Sequence, residues 1–392
     1  MAAPPLAAQS AARQPTTGPI ARYDMRAGTV AGTPMGQRPS MASMLGGGGG
    51  GAQVQHELYL RLGSSQPAQG SPKADHFIPE GMAMGRSLAL VTPREERHVE
   101  EGFPEGRRPQ GRMLIFWGCG EHAGPGQPVV IDFSRLAQGQ VPPGLWTSTI
   151  LRDWGPTLEN SKTFGRWPSE DGKYVKPDSA LPGPHRVVAN YAPPIAFTLA
   201  KDFMAPLSTR LTGLPSGAKI LAWNAIPDAT GYFATMFGGQ MGPNGQMGDM
   251  VMWSSSASRQ FGGGLGDWLS PAQVAGLVAN RTVIAPASHS CAIPAEAIKA
   301  AGQFRTGSLA AFGPQEDFAY PPRPADPRAT WNIQWTARIR HRSMTTWMDM
   351  PGMEGMGRYG QGGDDPRRQQ DCRPRRGLGG IMGGMIGGGG GC

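Results

Sequence analysis

The chain has 392 residues, enough for two ordinary domains or one large one. Gly (59) and Pro (38) make up about a quarter of it, charged residues only 17%. A coiled coil, a polyelectrolyte tail and a collagen repeat are thereby excluded, and no apolar run reaches the roughly 18 residues of an ordinary transmembrane helix. The net charge of +8 rests on Arg, which supplies 30 of the 37 basic residues.

Glycine is concentrated at the ends: residues 1–51 and 352–392 hold 26 of the 59. Gly46 to Gly51 reads as a flexible linker, because Gly loses the most entropy on ordering. Segments 1–51 and 348–392 are therefore expected to be disordered around a folded middle. Leu6 to Ala12 offers Ala-x-Ala-like positions such as close a signal peptide, without the charged and apolar regions that precede them. An exported protein, periplasmic or at the cell surface, is the expectation.

The middle reads as strands. His56 to Leu62 alternates, with Leu58, Leu60 and Leu62 on one side and Glu57, Tyr59 and Arg61 on the other. Ser87–Thr92 is a second candidate. Arg112–Trp117 is a continuous apolar run of the kind buried on both faces. Val129–Phe133, His185–Tyr191 and Ile195–Leu199 follow, punctuated by Gly and Pro. Ser270-Pro-Ala-Gln273 is a capping box with Pro at the first helical position, so a short helix is expected from there to Val278. Trp331 to Met344 is expected to close the last sheet.

Gly217 to Phe237 places two strands around a Pro227-Asp228 turn, with Trp223 on the first and Tyr232 opening the second. This stretch resembles the B-to-C strand region of fibronectin type III domains, and the resemblance implies a binding or spacer module. The Gly/Met-rich insertion from Gly238 to Gly248 and the helix depart from that family. The fold expected is all-β, with one or two immunoglobulin-like antiparallel sandwiches and Gly-rich ends. The divisions expected are a sandwich over 52–150, a loop-rich connector over 151–184 and a fibronectin-like sandwich over 185–347.

Candidate chemistry is sparse. Cys119 and Cys291 are disulfide candidates in an exported protein; Cys372 and Cys392 would pair in the tail or between chains. With His122 and His289 the first two could instead make a two-Cys, two-His zinc site, although the spacings do not match the usual ligand loops. Cys119 with either histidine is also a formal nucleophile pair. Met348, Met350, Met353 and Met356 resemble the Met-rich, Asp/Gly-spaced segments of bacterial periplasmic copper-resistance proteins, since thioether sulfur selects Cu(I). Arg338, Arg340 and Arg342 share one face of a strand, with Ile339 on the other. That face is either solvated or meets a surface polyanion such as an acidic polysaccharide or lipopolysaccharide, with nucleic acid the weaker reading. The Gly-rich tail could self-associate. No Walker, zincin, esterase or calcium-loop motif occurs.

The expectation for function is therefore an exported, non-catalytic binding or surface-assembly protein, with a cell-surface component or glycan as partner. Its rivals are a periplasmic copper- or zinc-binding protein and a hydrolase with a loop-built site.

Overall fold

The computed structural model describes residues 14–32, 54–93, 111–136, 140, 151, 155–169, 174–241, 247–260 and 264–350. The chain is all-β. Ten strands form one sheet, in the order β7 (Val129–Asp132), β6 (Arg112–Trp117), β15 (Met247–Ser254), β14 (Gly231–Met241), β17 (Phe304–Tyr320), β19 (Trp335–Asp349), β2 (Ala21–Gly32), β3 (Gln55–Ser64), β8 (Thr163–Trp167); β9 (Tyr174–Val175) pairs with β3 as well. Two smaller sheets pack on its inner face. One runs β11 (Ile195–Leu199), β10 (Gly183–Ala189), β4 (Ala74–Phe77), β5 (Ser87–Ala89), and the other β12 (Thr209–Gly213), β13 (Lys219–Trp223), β16 (Ser290–Ile293). A short parallel pair joins β1 (Thr16–Thr17) to β18 (Trp331–Asn332). Two sandwich lobes thus share one continuous sheet.

Alternation creates the first lobe. Ala21, Tyr23, Met25 and Ala27 of β2, Leu58, Leu60 and Leu62 of β3, and Ala337 and Ile339 of β19 point inward. They meet Val187, Ile195, Phe197 and Leu199 of the small sheet, with Leu88. A polar chain runs through this core. Tyr23 Oη lies 2.8 Å from His76 Nδ1, His76 Nε2 lies 2.9 Å from His185 Nδ1, and His185 Nε2 lies 2.8 Å from the Leu181 carbonyl. The carbonyl can only accept, so His185 Nε2 carries the proton. Neutral His185 then accepts from His76 Nε2–H, and His76 accepts the Tyr23 hydroxyl. Burial lowers both histidines, His76 well below the ordinary range with His185 adding to the effect. Burial, then Asp24, raises Tyr23.

The second lobe has a drier core of Leu221, Trp223, Tyr232, Met236, Val251, Trp253, Leu309 and Trp347. Trp223 and Tyr232 pack with ring centroids 5.3 Å apart. Helix α2 (Pro271–Ala279) carries the expected capping box: Ser270 Oγ accepts from the Gln273 amide while the Gln273 side chain accepts from the Ser270 amide. It covers Phe233 and Phe312 on the outer face with Val274 and Leu277. The short helices α1 (Phe133–Leu136) and α3 (Ala295–Ala301), with a 3-10 turn at Glu80–Met82, complete the described elements, and α3 packs Ala297, Ile298 and Ala301 into this core. None of these helices is long and apolar enough to cross a membrane.

Four features differ from the sequence expectation. Within 1–51, expected to be disordered, residues 21–32 form β2, which pairs with both β19 and β3. Gly28 and Gly32 and a Pro-rich approach hide its alternation. Between 151 and 184, expected to be a connector, β8 and β9 extend the large sheet. Strand β6, within 52–150, pairs in parallel with β15 of the second lobe. The 17-residue β17 was not foreseen. Its Pro314 falls where the register with β19 shifts between Phe312 and Gln315, and a bulge tolerates a residue without an amide proton.

Candidate functional site

The outer face of the shared sheet at the first lobe is built from the residues that alternation turns away from the core. Across one level of the ladder the register sets Asp317 of β17 beside Arg338 of β19, Arg338 beside Asp24 of β2, Asp24 beside Arg61 of β3, and Arg61 beside Arg166 of β8. Cross-strand opposite charges attract, and here they converge on one group. Asp24 is fully buried and accepts from Arg26 Nε at 3.1 Å, Arg61 at 2.7 Å, Arg338 Nε at 2.9 Å and Arg340 at 3.0 Å. Burial alone would raise the Asp24 carboxyl, but the guanidiniums of Arg340, Arg338, Arg61 and Arg26 outweigh it and hold it down at about 2. It is a permanent anion at neutral pH.

The next level is finished by a loop from the second lobe. Arg342 donates to Glu57 at 2.9 Å and lies 4.1 Å from the Trp268 ring centroid. Arg26 reaches Asp267 at 3.2 Å, and Arg340 also donates to the Trp268 carbonyl. Gly28 makes this approach feasible: a Cβ there would stand 2.8 Å from Trp268 Cη2 and 2.4 Å from Glu57 Oε1. The arrangement leaves a cleft of about 530 Å³ lined by Arg26, Tyr59, Asp267, Trp268 and Arg342. On the other side of Asp24 lies a second cleft of about 370 Å³, lined among others by Arg22, Pro156, Asp317, Trp331, Thr336 and Arg338. Trp331 is oriented by its Nε1–H to the Pro321 carbonyl, 2.9 Å, and Arg22 by two hydrogen bonds to Asn160.

The sequence candidates meet different fates. Cys119 and Cys291 are joined, S–S 2.09 Å, linking the loop after β6 to β16 and so the two sheets of the second lobe. Both thiols are consumed, which removes the two-Cys, two-His zinc site and the Cys119 nucleophile together. His122 pairs instead with Glu296 at 3.1 Å, and His289 lies edge-on to Tyr232 at 6.1 Å. Among the described residues no group of three His, Cys, Asp or Glu could hold a metal. Met348 is an exposed residue of β19 and Met350 follows it; Met353, Met356, Cys372 and Cys392 lie outside the described residues. Arg338, Arg340 and Arg342 share one face as expected, with Ile339 buried on the other. That face is not a free cationic strip: the side chains are 25%, 5% and 11% exposed and paired with Asp24 and Glu57. Sequence reasoning missed Asp24, Arg26 and Trp268. Arg22-x-Asp24-x-Arg26 does carry the period-two signal, but only register brings Arg61 and Arg338 to it.

The chain matches no protein-family model, no curated protein and no solved structure.

Proposed function

We propose that this is an exported, non-catalytic binding or surface-assembly protein built on β-sandwich modules. The observation that carries the reading is the outer face of the first lobe, where two clefts open on a rigid, ion-paired sheet. Sites on strands locked by neighbouring side chains hold their geometry, which suits recognition. The same residues suit acid–base catalysis poorly. A general acid or base works best with a pKa near the operating pH, and Asp24, held at about 2, is far from it. Among the described residues no histidine or cysteine lines either cleft.

Two further features support the reading. The Cys119–Cys291 link suits an oxidising compartment, periplasmic or extracellular. The second lobe sets β12-β13-β16 against the β7-β6-β15-β14-β17-β19 side of the large sheet, a sandwich layering compatible with the Trp223/Tyr232 resemblance to fibronectin type III domains, from which the parallel β6–β15 pair departs. In such a module binding or spacing is the expected work, with a cell-surface glycan the favoured partner.

The test is fractionation of the native host with non-reducing mass measurement, followed by binding of the purified protein to the host's own cell surfaces. An exported, oxidised chain that binds those surfaces is expected. A cytosolic, fully reduced chain would overturn the reading.

A further inference from the structure

We infer that the two clefts flanking Asp24 form one site for an extended acidic polysaccharide, a polyuronate in chemical class, lying along β2. This inference rests on the binding reading above and names its ligand. The clefts open on the same sheet face at Arg22 and at Arg26. Four residues of strand separate these by about 13 Å. Two like-lined clefts at that spacing fit a linear polymer better than one small molecule.

Charge selects the polymer. Among the described residues of this face Arg22, Arg26, Arg61, Arg166, Arg338, Arg340 and Arg342 stand with Asp24, Glu57, Asp267 and Asp317, which leaves three positive charges in excess. Arginine matches carboxylate and phosphate geometry alike, so the choice between them rests on the cleft walls and on the size of the excess. Trp331 and Pro156 give the smaller cleft apolar walls against which a sugar ring can lie, while Arg22, Thr336 and Arg338 offer donors to its oxygens. The arrangement suits nucleic acid less well. Single-stranded binding relies on successive open aromatic platforms; here Trp268 is buried with Arg342 against its ring, which leaves half-buried Trp331, itself 5.9 Å from the Arg323 guanidinium, as one platform where a strand of bases needs several. An excess of three charges is also small beside a duplex bearing one charge per roughly 1.7 Å.

The experiment uses the full-length oxidised protein in affinity electrophoresis and calorimetry, with polygalacturonate as probe, dextran as neutral control and a single-stranded DNA 40-mer as rival. Two variants work in opposite directions. Arg22→Gln removes a cation from the smaller cleft, and Asp317→Asn removes an exposed anion from its rim. Polygalacturonate is expected to bind, and more weakly as salt rises. Arg22→Gln should weaken it about fivefold and Asp317→Asn tighten it by a similar factor. A loss of fold would move both variants the same way, so the opposite signs carry the result. Equal binding of dextran, no binding of polygalacturonate by the folded protein, or a preference for DNA with the same two responses would each overturn the inference. The function reading is judged separately: an exported chain that holds to cell surfaces but ignores polygalacturonate sinks only the ligand assignment.

Discussion

The two lobes share a sheet and stabilise it by different means. In the first, polar groups are taken inside: Asp24 at the centre of four guanidiniums on one side of β2, and Tyr23, His76 and His185 in a closed chain on the other. In the second, the core is largely Trp, Tyr and aliphatic, and a covalent link between Cys119 and Cys291 joins its two sheets. The second lobe does contain a buried ion cluster, in which Asp349 accepts from Lys219 at 2.7 Å and from Arg305 at 2.6 Å. That cluster sits at the end of β19, not in the middle of the sheet. The lesson concerns sensitivity. Apolar burial is nearly indifferent to pH, a disulfide answers to reductant, and a buried polar network answers to any change in proton count.

The largest expected effect breaks the first lobe at its centre. Asp24→Ala leaves Arg340 and its neighbours without their buried counter-charge, a class of change that costs about 3–5 kcal/mol. A thermal melt should fall steeply, and hydrogen exchange should rise first in β2, β3 and β19. If β13 and β16 open at the same time, the lobes are one cooperative unit and the comparison between them collapses.

The matching change in the second lobe is the Cys119→Ser, Cys291→Ser pair. The cross-link spans 172 residues of sequence, and removing a link of this kind costs about 2–5 kcal/mol. The melt of the oxidised wild type should drop to that of the double variant when dithiothreitol is added. Exchange should rise between β6 and β16 while the first lobe holds.

Acid should separate the lobes by a third route. His76 and His185 have folded pKa values below the unfolded value near 6.5. A depressed histidine means that the unfolded chain binds more protons in that window. Stability is therefore full above about pH 6.5 and is lost as pH falls below it, by up to about 1.4 kcal/mol per histidine per pH unit. An added proton cannot enter the Tyr23–His76–His185 chain without turning two N–H groups toward each other or reversing the Tyr23 hydroxyl. Asp24 beside Tyr23 and Glu316 near His185 are the charged groups that bear on it, and Glu316 raises His185 against its burial. Urea midpoints measured from pH 7.5 to 5 should fall, with exchange rising first at β4 and β10. His76→Gln should flatten the slope.

The smallest change sharpens the comparison at its seam. Ser270→Ala removes the cap of α2, which packs on Phe233 and Phe312 next to the Trp268 loop. About 1 kcal/mol is expected, read as a small shift in melting temperature without a change in pH slope.

Much of the strand content was legible from the apolar pattern, alternating where one face of a strand is buried and continuous where both are, as at Ile115 and Phe116. Leu58, Leu60 and Leu62 announce β3, Arg112–Trp117 announces β6, and Ser270 with Gln273 announces α2; each of these signals lies within ten residues of sequence. The site was legible only in fragments. Arg338, Arg340 and Arg342 were seen to share a face with Ile339 opposite, but nothing local marks Asp24 as their partner. The pairing of β2 with β19 joins residues more than 300 positions apart, and it is parallel, so no turn links the two strands. The loop that brings Trp268 over Gly28 comes from the other lobe.

What the sequence determined by itself is therefore the set of local choices: alternation, turn positions, the helix cap and the two cysteines available for an oxidised link. Each follows from side-chain period or backbone preference acting over a few residues. What only the tertiary structure decided is which strands became neighbours, and with that the meaning of the charges. A strip of arginines read alone is a cationic surface. Set in register against a strand carrying Asp24, it becomes a buried ion-paired floor with a small positive excess, because Coulomb attraction depends on distance in space and not along the chain.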